Sequence, residues 1–228
     1  GRVGVVVLAG GMATRFGGGV KGTVPVLGER TFLDLRAEDV AAAAEEWKPP
    51  RSMFLMTSFA TDQGVREWAA AQDDSRVSLG TFSQNIALRL TEDGELFRDA
   101  DGQVSPYAPG HGDLFEAFAA SGLLEAFRES GGEILWLSNV DNLGATLDPA
   151  VLGVHLDGGH PVTVEVVDKH PGDKGGAPAW VDGRLQIVET FRFPPDFDQD
   201  RIPVFNTNTL LLDLTLFDAP PALDWFQV

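Results

Sequence analysis

Val3-Gly4-Val5-Val6-Val7-Leu8-Ala9-Gly10-Gly11 opens the chain as an aliphatic run without polar alternation that passes straight into glycines. A strand facing solvent on one side alternates, so an unalternating run of this length is expected at the centre of a sheet, covered on both faces by helices. It is too short for a membrane span and meets a glycine loop where a leader peptide would have its cleavage site. Ile134-Leu135-Trp136-Leu137 repeats the same pattern far along the chain. Between and around these two strands, helical stretches run from Phe32 to Trp47, Thr61 to Gln72 and Leu114 to Arg128, and a further strand from Met53 to Ser58. Strands and helices in alternation define an α/β chain with a mostly parallel central sheet, whose ligands bind beyond the carboxyl ends of the strands. From Pro161 onward the pattern turns to strands and turns, which reads as a β layer of its own on the ligand side. Asp182-Gly183 between Ala179-Trp180-Val181 and Leu185-Gln186-Ile187-Val188 predicts a hairpin, and a second hairpin is expected around Asp93-Gly94 and Asp101-Gly102.

Composition narrows the function. The 228 residues, 43% of them hydrophobic, suffice for one α/β domain with a sizeable core. A net charge of -17 argues against nucleic acid and anionic membrane as partners. The absence of cysteine removes disulfide and thiolate chemistry and agrees with a reducing compartment, so the expected location is cytoplasmic. The chain lacks an initiator methionine and stops at Asp224-Trp225-Phe226-Gln227-Val228 in strand-like sequence. The expectation is therefore that residues 1–228 are the core of a longer protein, with parts of it beyond both ends.

The loop after the first strand, Leu8-Ala9-Gly10-Gly11-Met12-Ala13-Thr14-Arg15-Phe16-Gly17-Gly18-Gly19-Val20-Lys21-Gly22, suits backbone wrapped closely around phosphate. Its spacing is neither the dinucleotide fingerprint nor the P-loop, so hydride transfer and simple ATP hydrolysis lose support. Glycines alone are equally a flexible turn. Arg15 and Lys21 favour an anionic ligand, because so acidic a chain has little other reason to place cations there. Further on, Pro109-Gly110-His111-Gly112-Asp113 precedes a helix, where backbone N–H groups meet a ligand or Asp113 simply caps the helix. Ser138-Asn139-Val140-Asp141-Asn142-Leu143-Gly144-Ala145-Thr146 follows the second strand and places an acidic residue at its carboxyl end; by itself it also fits a polar turn.

Together these segments resemble the UDP-sugar pyrophosphorylase family, whose members carry a Leu-(Ala/Asn)-Gly-Gly-x-Gly-Thr loop followed by lysine, a Phe-x-Gln, a Pro-Gly-His-Gly-Asp and a Ser-Asn-Val-Asp-Asn-Leu. The resemblance runs from Val5 to about Leu214 and extends to Asp173-Lys174-Gly175-Gly176, Val188-Glu189 and Phe205-Asn206-Thr207-Asn208. It implies a Rossmann-like three-layer nucleotidyltransferase core with a mixed, mostly parallel sheet and added β-hairpins on the sugar side. It further implies that UTP and glucose 1-phosphate combine to give UDP-glucose and pyrophosphate, by in-line attack on the α-phosphorus with Mg²⁺. Residue by residue, Leu8, Ala9, Gly10, Gly11, Gln84, Gly110 and His111 fall on nucleotide-binding positions. Asn139, Gly176, Glu189, Asn206 and Asn208 fall on sugar positions, Asp141 on the metal ligand, and Lys21 and Arg15 on the catalytic cations. The attacking phosphate oxygen is already ionised, so the protein's task is alignment and charge compensation, with no general base.

Two departures stand out: Ala13 where the family has glycine, and Val20 where it often has proline. The family's second essential lysine lies beyond the stretch resembling Leu223 to Val228, and Lys174 is no obvious substitute for it. A non-catalytic UDP-sugar-binding module is accordingly an alternative. So is a UDP-N-acetylhexosamine pyrophosphorylase, whose loop Leu8-Ala9-Gly10-Gly11 and Thr14-Arg15 look like; the stretch Asn139 to Thr146 favours glucose. A glycosyltransferase ranks lower, since its Asp-x-Asp metal site has only Asn139-Val140-Asp141 as counterpart and its chemistry has no use for Lys21.

Overall fold

Valines 5, 6 and 7 are almost fully buried, so both faces of their strand are indeed covered. The computed structural model describes residues 2–12, 19–47, 51–170, 172–173 and 175–223. In chain order the elements are β1 (Val3–Leu8), β2 (Pro25–Leu27), β3 (Arg30–Thr31), α1 (Phe32–Trp47), β4 (Arg51–Thr57), α2 (Asp62–Ala70) and β5 (Val77–Ser83). There follow β6 (Ala87–Leu88), β7 (Pro106–Tyr107), α3 (Leu114–Ala120), α4 (Leu123–Glu129), β8 (Ile134–Asn139) and α5 (Pro149–Gly158). The chain continues with β9 (Val162–Asp168), β10 (Ala177–Val181), β11 (Arg184–Val188) and β12 (Val204–Asp213).

A six-stranded sheet in the order β5-β4-β1-β8-β12-β9 forms the centre. The pairs β5·β4, β4·β1 and β1·β8 are parallel, and β12 runs antiparallel to both its neighbours. This is the mixed, mostly parallel α/β sheet expected. Side-chain alternation sorts the core into two layers. Val5, Val7, Met53, Leu55 and Trp136 face Leu33 and Val40 of α1 and Val65 of α2. Val6, Phe54, Met56, Leu135 and Leu137 face Phe118 of α3 and Phe127 of α4. Each such aliphatic side chain withdrawn from water stabilises the fold by roughly 1.5–3 kcal/mol before entropy is counted.

The helices begin where local chemistry lets them. At the start of α1, Thr31 Oγ1 accepts the Asp34 N–H at 3.2 Å while the Asp34 carboxylate accepts the Thr31 N–H at 2.8 Å, a reciprocal capping box. The same carboxylate accepts the Trp68 indole N–H at 2.8 Å and so ties α1 to α2. α5 starts on Asp148, whose carboxylate accepts the Ala150 N–H, with Pro149 in the first helical position, and ends at left-handed Gly159.

Three expectations need correction. The single helix over Leu114 to Arg128 is two, because Gly122 takes φ +78° between them. The bend lets both pieces reach one aromatic partner, with Phe118 4.9 Å and Phe127 5.3 Å from Phe54 in edge contacts. The strands after Pro161 are also not a separate layer: β9 and β12 belong to the central sheet, and the hairpin β10–β11 stands apart from it as a pair of its own. That hairpin turns at Asp182 and Gly183, both with positive φ, as Asp-Gly predicts. Where the sequence predicts one further hairpin around Asp93-Gly94 and Asp101-Gly102, two successive turns are present, one closed by a bridge from Leu90 to Leu96 and the other by a bridge from Arg98 to Val104. The terminal segment 224–228 lies outside the described residues. No helix among the described residues is long and apolar enough to cross a membrane.

Candidate functional site

β1 and β8 pair in parallel and end level, Leu8 against Asn139, so the glycine loop and the Asn139–Ala145 loop leave the sheet side by side. Gly10 is held by its carbonyl, which accepts the Ser58 hydroxyl at 2.9 Å. The return of the loop is set by the Lys21 N–H donating to the Gly11 carbonyl at 3.3 Å and by a bridge between Met12 and Val20. Lys21 then begins a short 3-10 turn to Thr23, pressed against α1: a methyl group on Gly22 would sit 3.0 Å from Leu33 and 3.5 Å from Val140. Val20, where the family often has proline, is extended with φ -83° and packs toward Gly64 of α2. The position therefore keeps the backbone that proline imposes.

The consequence is an ion pair. Lys21 Nζ lies 3.1 Å from Asp141 Oδ2, two residues 120 positions apart brought to the carboxyl edge of the sheet. Both are partly exposed, so the pair contributes at most about 1 kcal/mol to stability and leaves two opposite charges presented to solvent. Arg15 and Ala13 lie outside the described residues.

A cavity of about 330 Å³ beside this pair is lined by Leu8, Gly10, Gly11, Lys21, Gln84, Gly110, His111, Asn139 and Asp141, together with Ala108 and Val140. Ala9 does not line it; its side chain is fully buried, leaving it only backbone to offer. Gln84 crosses the cavity floor. Its Oε1 accepts the Gly110 N–H at 2.9 Å and its Nε2 lies 2.5 Å from where a methyl on Gly10 would be. One lone pair of the Gln84 oxygen is thus engaged with Gly110, and the other lone pair and the amide N–H groups remain for a ligand.

Gly110 adopts φ +100°, a conformation that side-chain-bearing residues avoid, and carries the chain into the His111–Asp113 turn. Asp113 sits at the N-cap of α3 but makes no cap bond. Its carboxylate accepts the Asn85 N–H at 2.6 Å and the Asn85 amide at 3.0 Å, fastening the Gln84 segment to the Gly110 segment. His111 lines the cavity and keeps part of its surface open to solvent. Desolvation by the protein packed around the ring lowers the imidazole pKa from its ordinary 6.5, opposed by the nearby Glu189 charge.

A second cavity, of about 350 Å³, is lined by Asn139, Asp141, Asn142, Phe205, Asn206, Thr207 and Asn208. The two share Asn139 and Asp141. The second wall comes from the amino end of β12, where the pairing with β9 slips between Asn206 and Thr209. In this bulge Asn208 takes φ +61°, its N–H donates to Asn206 Oδ1 at 2.9 Å, and its amide donates to Asn139 Oδ1 at 3.0 Å. Asparagine tolerates this backbone better than other non-glycine residues. Gly176 and Glu189 line neither cavity. They are joined to the second through Gly176, whose carbonyl accepts the Asn206 N–H at 2.7 Å and whose missing Cβ would lie 2.8 Å from Glu189 Oε1.

Sequence reasoning passed over the residues that hold this constellation: Ser58, Asn85, Thr209 and above all Arg36, which is buried beneath the Asn139–Ala145 loop. Their partners are far along the chain, so no local pattern announces them. Among the described residues no cluster of three or more His, Cys, Asp or Glu is placed to hold a metal. A cation here has one protein carboxylate, Asp141, and would need a ligand's phosphates to complete its shell, which is how Mg²⁺ commonly binds.

The family described as UTP--glucose-1-phosphate uridylyltransferase matches residues 1–219. The enzyme of that name from Saccharomyces cerevisiae is 32% identical over 223 residues, spanning 93% of this chain and 45% of the yeast protein. A UDP-glucose pyrophosphorylase mutant from Leishmania major, solved in complex with UDP-glucose, superposes with a TM-score of 0.77 at 27% identity over 95% of this chain and 50% of its own. A UDP-N-acetylglucosamine pyrophosphorylase from Entamoeba histolytica shares the fold, with a TM-score of 0.80 at 19% identity. The chain thus spans about half the length of the curated relatives it matches.

Proposed function

We propose, for a chain that belongs to the UTP--glucose-1-phosphate uridylyltransferase family, that residues 1–228 form the catalytic core of an enzyme joining UTP to glucose 1-phosphate with release of pyrophosphate. One observation carries the reading: two cavities meet at Asn139 and Asp141, with Lys21 at the junction. A nucleotide sugar has two such parts, a base with its ribose and a hexose, joined by the phosphates at which the chemistry occurs.

Uracil fits the first cavity, against Gly10, Gly110 and the Gln84 amide N–H groups. The hexose fits the second, where Asn139, Asn206 and Asn208 offer paired donors and acceptors to hydroxyls. The phosphates then lie over Lys21 and Asp141. Before ligand enters, these two neutralise each other. A polyphosphate attracts Lys21 and leaves Asp141 to help hold a divalent cation, which we take to be Mg²⁺. When bound, the cation would offset phosphate charge. Lys21 does the same from the protein side. Two like charges about 4 Å apart repel by roughly 4 kcal/mol at an effective dielectric near 20, so each opposing cation at the junction has a large effect on bringing two phosphorylated substrates together. His111, held toward its neutral form, can donate one N–H to a phosphate oxygen without being required as a base. Arg15 belongs to the same loop and is proposed as the second cation.

Calorimetric titration with UDP-glucose, UDP-N-acetylglucosamine and ADP-glucose in Mg²⁺ tests the reading, followed by assay of pyrophosphate-dependent UTP formation. Selective UDP-glucose binding with turnover is expected. Selective binding without turnover leaves a UDP-sugar-binding module; a folded sample that binds none of the three refutes the assignment of the clefts.

A further inference from the structure

We infer that Arg36 is a positioning residue that holds the Asn139–Ala145 loop, and with it Asp141, in the geometry shared by the two cavities. Arg36 lies on α1, 2% exposed, under the sheet edge from which the loop emerges. Every hydrogen bond of its guanidinium among the described residues goes to that loop or to the strand residue just before it. Nη2 donates to Ser138 Oγ at 2.6 Å, and Nη1 donates to the Ala145 carbonyl at 2.5 Å and to the Asn142 carbonyl at 3.4 Å. The three acceptors lie at the beginning, middle and end of the segment. One rigid planar fork therefore spans the base of the turn that carries Asn139, Asp141 and Asn142 into the cavities.

A buried cation satisfied by carbonyls and a hydroxyl instead of a bound carboxylate is costly. Asp39, one turn on, is the charge that acts on it, and burial lowers the Arg36 pKa all the same. Its Nε finds no partner. An aliphatic side chain would pack this position at less expense of desolvation, so the guanidinium is explained by what its donors fasten. The rest of the site is tied to the same helix. The Lys21 turn rests on Leu33 of α1 through Gly22, so both members of the Lys21–Asp141 pair are supported from one helix, the lysine through packing and the aspartate through Arg36. From above, the Asn142 amide donates to Thr209 Oγ1 at 3.2 Å and Asn208 holds Asn139, which leaves the underside of the loop to Arg36.

The inference about the cation rests on the proposed function, while the effect on the loop does not, and the test separates them. Arg36→Met keeps the volume without the donors, and Arg36→Lys keeps the charge without the fork. Hydrogen exchange read by mass spectrometry should show faster exchange in peptides covering 138–147 in both variants, with β1, β4 and α2 unchanged. Mn²⁺ titrated in the presence of UDP-glucose and followed by electron spin resonance should bind about 10-fold more weakly, as is common when a residue behind a metal ligand is lost. Metal-free UMP should bind within about twofold of the parent, because Gln84 and Gly110 are not attached to Arg36. Unchanged exchange in 138–147, or exchange and UMP affinity degraded everywhere alike, would overturn the inference, the latter by making Arg36 an ordinary core residue. If the parent protein binds neither UMP nor Mn²⁺ with UDP-glucose, the functional reading fails and the exchange comparison still judges Arg36. Should Arg36→Met not fold, Ser138→Ala with Arg36→Lys decides the same question.

Discussion

Gly10→Ala puts the site to a sharp test, since one methyl group should damage binding much more than folding. The added Cβ would lie 2.5 Å from Gln84 Nε2, while its next neighbours, Ser58 Cβ and the Thr57 carbonyl carbon, stand at an ordinary 3.5 Å. Backbone need not move, but the Gln84 amide must retreat by about 1 Å to reach normal contact distance. That breaks its 2.9 Å bond to the Gly110 N–H. Losing such a bond costs about 1 kcal/mol, a fall in Tm of roughly 2–4 °C for a domain of this size. Ligand suffers twice, because the amide leaves the base it should contact and the methyl occupies the floor on which the base lies. A loss of roughly 1–3 kcal/mol, or about 5- to 150-fold in Kd for UDP-glucose, should appear in calorimetry. The mechanism is checked by a double-mutant cycle. On a Gln84→Ala background the obstruction has no amide to displace, so Gly10→Ala should add little to the Gln84→Ala defect. Parent-like binding by Gly10→Ala, or full additivity of the two penalties, would refute the reasoning.

Lys21→Ala should abolish most turnover while the Tm stays within about 4 °C of the parent, since a half-exposed ion pair supports chemistry more than stability; parent-like turnover in the folded variant ends the assignment. Asn208→Ala should lose both the bond to Asn139 and the residue type that tolerates φ +61°, for roughly 1–2 kcal/mol of stability, and Asn208→Gly should recover the backbone part but not the binding of UDP-glucose. Comparing the two by urea unfolding and calorimetry separates strain from recognition. The depressed His111 pKa also predicts a pH dependence. Below about pH 6.5 the unfolded chain takes up a proton that the folded chain refuses, so His111 makes stability fall as pH drops from 6.5 to the folded pKa and adds no slope beneath it. Urea midpoints between pH 5 and 7 should flatten in His111→Gln, and an unaltered slope would contradict the shift.

Much of this molecule is readable along one dimension. Phe32 to Trp47 reads as a helix because its apolar positions recur with helical period, and Val3 to Ala9 as a central strand because its valines do not alternate; the helix has those bounds and the strand ends one residue earlier, at Leu8. Asp182-Gly183 announces its own turn through backbone chemistry. What escaped was decided at a distance. Nothing local in Leu114 to Arg128 says that Gly122 breaks the helix, because the reason is a shared aromatic partner, Phe54, on another element. The strands after Pro161 look detached until β12 is seen lying between β8 and β9. At the site, motifs exposed Gln84, Gly110, His111, Asn139 and Asp141, all of which line the first cavity. Arg36 stayed hidden because its acceptors are more than a hundred residues away and two of them are carbonyls, which carry no signature in the amino-acid alphabet.

The place of β12 bears on how the protein is made. As the chain leaves the ribosome, β1, β4, β5 and β8 can assemble in parallel, and the cavity floored by Gln84 and Gly110 can form around them. β9 then emerges with its sheet position separated from β8 by a gap that β12, which follows it in the chain, fills. Until β12 is threaded into that slot, β9 has an unpaired edge and Asn206 and Asn208 lack the strand that holds them, so on the proposed assignment of the two cavities a nascent chain halted before β12 would grip the uridine end of a ligand and not its sugar.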